Sequence, residues 1–111
     1  MNLPGIREFA RRNALLTLDM SYKAKVGHVG SALSISDLVS VLYADRLNVN
    51  PDNLNNPGRD RFILSKGHGA ATLYSAISLK YPEIISEKEL LTLRKMGSRL
   101  QGHPVYRTLW G

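Results

Sequence analysis

The residues best equipped for chemistry in this 111-residue chain are three histidines, each directly after a glycine: Gly27-His28, Gly67-His68 and Gly102-His103. Imidazole titrates near neutrality and can donate, accept or shuttle a proton. Glycine lets the backbone turn sharply or come close to a ligand. Gly67 and Gly69 flank His68, an arrangement that could aim backbone N–H groups at a phosphate. Lys66 beside them is either an anion contact or a solvated surface cation. Each Gly-His pair also has a plainer account, a loop turn with an exposed imidazole. A three-histidine metal site is a further option, but separations of 40 and 35 positions match no helical or hairpin ligand pattern. No Gly-x-Ser-x-Gly, phosphate-loop or His-Glu-x-x-His pattern occurs. Spacing alone leaves the function open.

The elements that must carry these residues follow from periodicity and turn chemistry. After Pro4-Gly5, the stretch from Ile6 to about Tyr22 lacks Pro and Gly and is rich in helix formers. Ile6, Phe9, Ala10 and Ala14 keep helical spacing, and Leu15, Leu16 and Leu18 broaden the apolar face. Gly27 to Ser31 interrupts the pattern. A second helix is expected to start at Ser34, with Asp37 three residues on as a capping box. Its buried stripe is Ile35, Leu38, Val39, Leu42, Tyr43 and Leu47. The polar segment from Asn48 to Asp60, with Pro51, Pro57 and Gly58, reads as loop. Phe62-Ile63-Leu64 is expected to form a short buried strand of a parallel sheet. Ser65 to Gly69 turns into a third helix marked by Ala70, Leu73, Tyr74 and Ile77 and ended by Tyr81-Pro82. Ser86 and Glu89 suggest a capping box for a fourth helix over Leu90, Leu91 and Leu93, with Arg94 and Lys95 in its last turn and Gly97 as its stop. All three histidines fall in loops. One strand makes no sheet, so further chain, or another chain, is expected to complete the fold.

Composition bounds the partners. The 43% apolar and 22% charged content is that of an ordinary globular domain, and the length suits a single unit over residues 1–111. Without cysteine, disulfides, thiolate nucleophiles and Cys-based zinc sites are excluded, which permits a cytoplasmic setting. No apolar run approaches the ~18 residues of a membrane span, and Arg7, Glu8, Arg11 and Arg12 have no signal-like apolar stretch behind them. The net charge of +6 is spread along the chain, without a basic block or interleaved aromatics. A solvated basic surface is favoured over a nucleic-acid face.

Motif order and wording carry more than spacing does. Tyr22-Lys23-Ala24 leading to Gly27-His28-Val29-Gly30-Ser31-Ala32-Leu33-Ser34 resembles the first histidine motif of transketolases. Arg59-Asp60-Arg61-Phe62-Ile63-Leu64-Ser65-Lys66-Gly67-His68 resembles the second. Glu89-Leu90-Leu91 through Gly97-Ser98-Arg99-Leu100-Gln101-Gly102-His103-Pro104 resembles the third. The resemblance runs from about residue 7 to 104, and it favours the split form of the family, in which two separate chains share the enzyme.

The resemblance implies an α/β fold: the incomplete N-terminal portion of a doubly wound thiamine diphosphate-binding domain, mostly helical with one short parallel-type strand. It implies transfer of a two-carbon ketol unit between sugar phosphates, as in the pentose phosphate pathway, with thiamine diphosphate and Mg²⁺ or another divalent metal as cofactors. His28 then corresponds to a catalytic and substrate-binding residue beside the cofactor's thiazolium. His103 corresponds to a catalytic and substrate-binding residue that contacts sugar hydroxyls, and His68 to a cofactor-binding residue on the diphosphate side. A complementary transketolase chain or a homodimer is the implied partner. Deoxyxylulose phosphate synthase and dihydroxyacetone synthase are related alternatives, and the wording from Gly97 to Pro104 leans away from the former.

Departures from the family pattern shape the remaining expectations. Val29 stands where proline is commoner, and Gly69 where alanine is usual. After Pro104 the match stops, leaving residues 105–111 as a divergent tail, and the family's Gly-Asp-Gly motif for metal and diphosphate occurs nowhere in the sequence. The family's activating glutamate lies outside this region. The chain is therefore expected to be a truncated section, with no metal ligands of its own and no cofactor binding or turnover alone. An interaction module that pairs with intact transketolase subunits is the second expectation, and a small nucleic-acid binder the third.

Overall fold

The computed structural model describes residues 2–25 and 27–102. They form four α-helices: α1 (Leu3–Ala24), α2 (Val29–Val41), α3 (Ala70–Lys80) and α4 (Glu87–Leu90). A π-helical turn, Leu42–Arg46, prolongs α2, and a 3₁₀ turn, Gly67–Gly69, leads into α3.

α1 starts earlier than Pro4-Gly5 suggested. The Asn2 side chain accepts the Gly5 N–H at 2.9 Å, and Pro4 fits the first turn, where its missing N–H costs nothing. Lys25 closes the helix in the left-handed region at φ 55°. The face that α1 buries is Asn13, Thr17, Met20 and Ser21. Leu16 packs on the core, whereas Leu15 and Leu18 are 53% and 43% exposed. The apolar face drawn from sequence is thus rotated, because polar residues take the inward positions.

Those polar positions meet α2 and α3 in a closed hydrogen-bond seam. Asn13 Nδ2 donates to Ser40 Oγ at 2.9 Å and to Thr72 Oγ1 at 3.1 Å, and Ser75 Oγ donates to Asn13 Oδ1. Thr17 Oγ1 donates to the Asn13 carbonyl at 2.7 Å and lies 3.1 Å from Ser75 Oγ. Every residue of α3 from Ala70 to Ser78 is buried. Its many Ala, Ser and Thr side chains are short enough for α1 and α2 to pack on it together.

α2 begins at Val29, not at Ser34, since nothing from Val29 to Leu33 breaks a helix once the turn packs on α3. Ser34 is inside it: its hydroxyl donates to the Ser31 carbonyl at 2.8 Å and accepts from Lys66 Nζ at 2.6 Å. Val39 and Tyr43 of the expected stripe are buried, but Leu38 is 63% exposed.

The loop after α2 closes on itself through Asn48 and Asp60. The Asn48 N–H donates to Asp60 Oδ2 at 2.7 Å, and the Asp60 N–H to the Asn48 carbonyl at 2.9 Å. The expected strand at 62–64 is corrected: among the described residues there is no strand, because none of them offers this segment a ladder partner. Phe62 and Leu64 pack against the core, with Phe62 edge-on to Tyr43 at 5.8 Å, while Ile63 is 85% exposed.

α3 ends before Tyr81-Pro82, as the proline requires. The fourth helix is shorter than expected. Ser86 Oγ accepts the Glu89 N–H at 3.0 Å, but the Glu89 carboxylate turns away to Arg99, so only half of the capping box forms. Successive turns replace the helix beyond Leu90. Arg94 adopts φ 63° and Gly97 φ 83°, which folds the chain back so that Leu100 is buried. Among the described residues, no helix is long and apolar enough to cross a membrane.

Candidate functional site

Two of the three Gly-His pairs are brought together by the starts of two helices. His28 is the residue just before α2, and His68 sits in the 3₁₀ turn that opens α3. Their ring centroids lie 5.5 Å apart at 69°, edge to face. Gly69 lets the two helix starts approach: a methyl group there would lie 3.1 Å from Ile35 Cδ1 and 3.7 Å from the Ser31 carbonyl of α2.

The pair lines a narrow cleft whose other walls, among the described residues, are Ser21 of α1, Ala71 of α3, Leu93, Arg94 and Gly102. The third motif therefore reaches the same place through Gly102, where an added methyl group would lie 3.5 Å from the Arg94 side chain. His103, the third expected site residue, lies outside the described residues. The residues 105–111 lie outside them as well.

Three anchors deliver Gly102 to the cleft. The buried Tyr74 of α3 donates its hydroxyl to the Gln101 carbonyl at 2.7 Å. Arg99 grips Glu89 with two hydrogen bonds of 2.6 and 2.8 Å and donates to the Ile84 carbonyl at 2.8 Å. The Arg94 N–H donates to the Leu100 carbonyl at 2.7 Å. Burial pushes the Tyr74 hydroxyl up to about 12, against an opposing hydrogen bond to Gln101, so it remains a donor throughout the neutral range. The guanidinium of Arg99, by its hydrogen bonds, holds the Glu89 carboxyl below the usual carboxylate value.

The electrostatics favour an anion. Neither α2 nor α3 has an acidic residue in its first turn or a side chain capping its N-terminus. The partial positive ends of both helices are therefore left to this corner, and among the described residues no carboxylate lines the cleft. Lys66 is not aimed into it but tied to Ser34 on α2. Among the described residues, no group of three or more His, Asp or Glu is placed to hold a metal ion.

Sequence reasoning missed Ser21 and Tyr74. Tyr74 was visible only as a helix-spacing apolar residue, and Ser21 carried no signal. Its place one helical face along from Asn13 and Thr17 shows only once α1 is built.

The family model for the transketolase thiamine diphosphate-binding domain matches residues 7–111. Transketolase 1 of Pasteurella multocida is 40% identical over 100 residues, covering 90% of this chain and 15% of that protein. One of the subunits of the apulose-4-phosphate transketolase of Phocaeicola vulgatus is 39% identical over 95 residues, covering 86% of this chain and 33% of that protein. Among solved structures, a transketolase from Leishmania mexicana superposes with a TM-score of 0.84 at 28% identity, covering 94% of this chain and 15% of that one. The chain thus spans a small part of the length of the relatives it matches.

Proposed function

The chain belongs to the transketolase family, in its thiamine diphosphate-binding domain, and from that premise we propose that it forms the histidine-lined wall of a ketol-transfer site. The observation that carries this reading is the edge-to-face pairing of His28 and His68 at 5.5 Å in a cleft that Gly102 also lines. The reaction is transfer of a two-carbon ketol unit from a ketose phosphate to an aldose phosphate. Thiamine diphosphate supplies the carbanion chemistry when bound. The residues of this chain bind, orient and move protons. His68, at the start of α3, holds the diphosphate side, where acid-free helix ends suit its charge. His28 is the catalytic and substrate-binding group that passes a proton at the reacting carbon. His103 contacts the sugar hydroxyls.

The described residues fit the anionic end of the cofactor but offer no cluster for its divalent metal. We place the chain as one unit of the diphosphate-binding domain, working in the cytoplasm with a complementary transketolase chain or a second copy. The Phocaeicola relative is itself named as one subunit of its enzyme, which supports a complementary chain. Alone, these 111 residues neither bind the cofactor measurably nor turn over.

Calorimetric titration of the chain with thiamine diphosphate and Mg²⁺ tests the last point, and saturable micromolar binding would overturn it. Mixing with a complementary chain should restore ketol transfer that His28→Ala abolishes. A second reading, an interaction module without catalysis, is favoured by the exposed Leu15, Leu18 and Tyr22 on one stripe of α1. It predicts a stable complex in the mixing experiment whose activity does not depend on His28.

A further inference from the structure

One polar group in the interior stands apart from all the others around it. Ser21 is 2% exposed, and its hydroxyl has no hydrogen-bond partner among the described residues. Its neighbours along α1, Asn13 and Thr17, are fully engaged in the seam. Ser21 differs from them in position: it lies on the wall of the cleft that holds His28, His68 and Gly102. Buried hydroxyls in folded proteins are nearly always satisfied, and an unsatisfied one needs a partner that enters from outside the protein framework. The space between the cleft walls is narrow, with room for about one water, and among its largely apolar walls the Ser21 hydroxyl, the two imidazoles and the Arg94 side chain supply the polar groups.

We propose that Ser21 is a positioning residue for the histidine pair: its hydroxyl hydrogen-bonds a single water seated in the cleft, which in turn bonds an imidazole nitrogen of the pair. Rotation about its one side-chain torsion brings the hydroxyl to such a guest at little cost. A hydrogen bond to one ring nitrogen selects the tautomer and so decides which nitrogen is free to accept a proton. The functional consequence rests on the ketol-transfer reading of the cleft, but the hydrogen bond itself belongs to the chain as it stands.

The sign of a single substitution separates this from a merely packed serine. Removing a truly orphaned hydroxyl should raise the folding equilibrium constant about 5-fold or more, since its desolvation penalty disappears. Removing a bridging hydroxyl should leave it unchanged or lower it about 3-fold. The experiment is Ser21→Ala in the intact chain, with denaturant unfolding for stability and ¹⁵N NMR of the imidazole rings for tautomer. The expected result is no gain in stability together with displaced ring signals for His28 or His68. A gain in stability, or ring signals that stay in place, overturns the proposal. Where Ser21→Ala fails to fold, the isosteric pair Ser21→Thr and Ser21→Val gives the same comparison, with wild-type ring signals expected only for Thr. Ketol transfer is not read at all, so failure here leaves the family-based function standing, and loss of that function leaves this result standing.

Discussion

Residues 13, 17 and 21 follow one another at helical spacing along the buried face of α1, yet two of them face a different kind of environment from the third. Asn13 and Thr17 meet Ser40, Thr72 and Ser75, and each finds its partner within the protein. Ser21 meets the histidine cleft and finds none among the described residues. Polar groups paired internally fix how three helices sit together. Polar groups left open beside two imidazoles are available to a guest. The same helix face serves the fold over its middle and the site near its end.

The strongest way to break this contrast is to attack the closed seam. Asn13→Ala removes donors and an acceptor: it takes from the buried Thr72 hydroxyl the amide that bonds it and leaves Ser40 and Ser75 with only their remaining bonds, to the Ser36 carbonyl and to Thr17 and the Thr72 carbonyl. The expected cost is about 3 kcal/mol in a urea melt, and a cost below about 1 kcal/mol would show that the seam holds little.

Tyr74→Phe tests the open side. It keeps the buried ring but deletes the hydroxyl that holds the Gln101 carbonyl. We expect a loss of about 1 kcal/mol and NMR shifts confined to residues near Gly102; shifts spread equally over the seam would contradict the division. Alkaline pH probes the same bond. Burial raises Tyr74 to about 12 and raises Tyr43 as well. The neutral phenols are therefore favoured in the folded state, and their contribution is complete below the ordinary tyrosine value. It is lost as pH rises from there through the folded values. Unfolding curves collected upward from pH 9 should show this decline, and Tyr43→Phe should make it shallower.

Glu89→Gln is a smaller perturbation, because the Glu89–Arg99 pair is partly exposed and screened. Its lowered carboxyl value means a contribution present above the ordinary glutamate value and lost as pH falls through the folded one. A change of up to about 1 kcal/mol at neutral pH is expected, with a flatter acid limb; an unchanged acid limb would remove this anchor from the account. Gly69→Ala should matter least, under about 1 kcal/mol, since the nearest obstacle is the flexible tip of Ile35. Ile35→Val should relieve it in the double variant.

Much of this was legible in the residues. The limits of α3 followed from a glycine-rich turn on one side and Tyr81-Pro82 on the other. The resemblance carried by the Gly-His motifs implies that His28 and His68 serve one cofactor, and their rings do lie 5.5 Å apart although 40 positions separate them in the chain. Other features were hidden for physical reasons. Ser34 and Asp37 have the residue types of a helix start, but packing of the preceding turn on α3 extends α2 back to Val29. The inward face of α1 was masked because Asn13, Thr17 and Ser21 count as outward-facing in any hydrophobic pattern. Burial of the first two depends on hydroxyls of α3 nearly sixty residues later in the chain. The apolar run at 62–64 has the composition of a strand, yet a strand is a relation between two segments, and composition describes only one.

That same run has a practical consequence for handling the protein. Phe62 and Leu64 are anchored, and the isoleucine between them stands out into water with no strand beside it among the described residues. Two molecules meeting at this spot could zip together along it, as exposed sheet margins do. Concentrated samples are expected to cloud from here first, and light scattering of Ile63→Lys should stay low at concentrations where the parent chain already scatters.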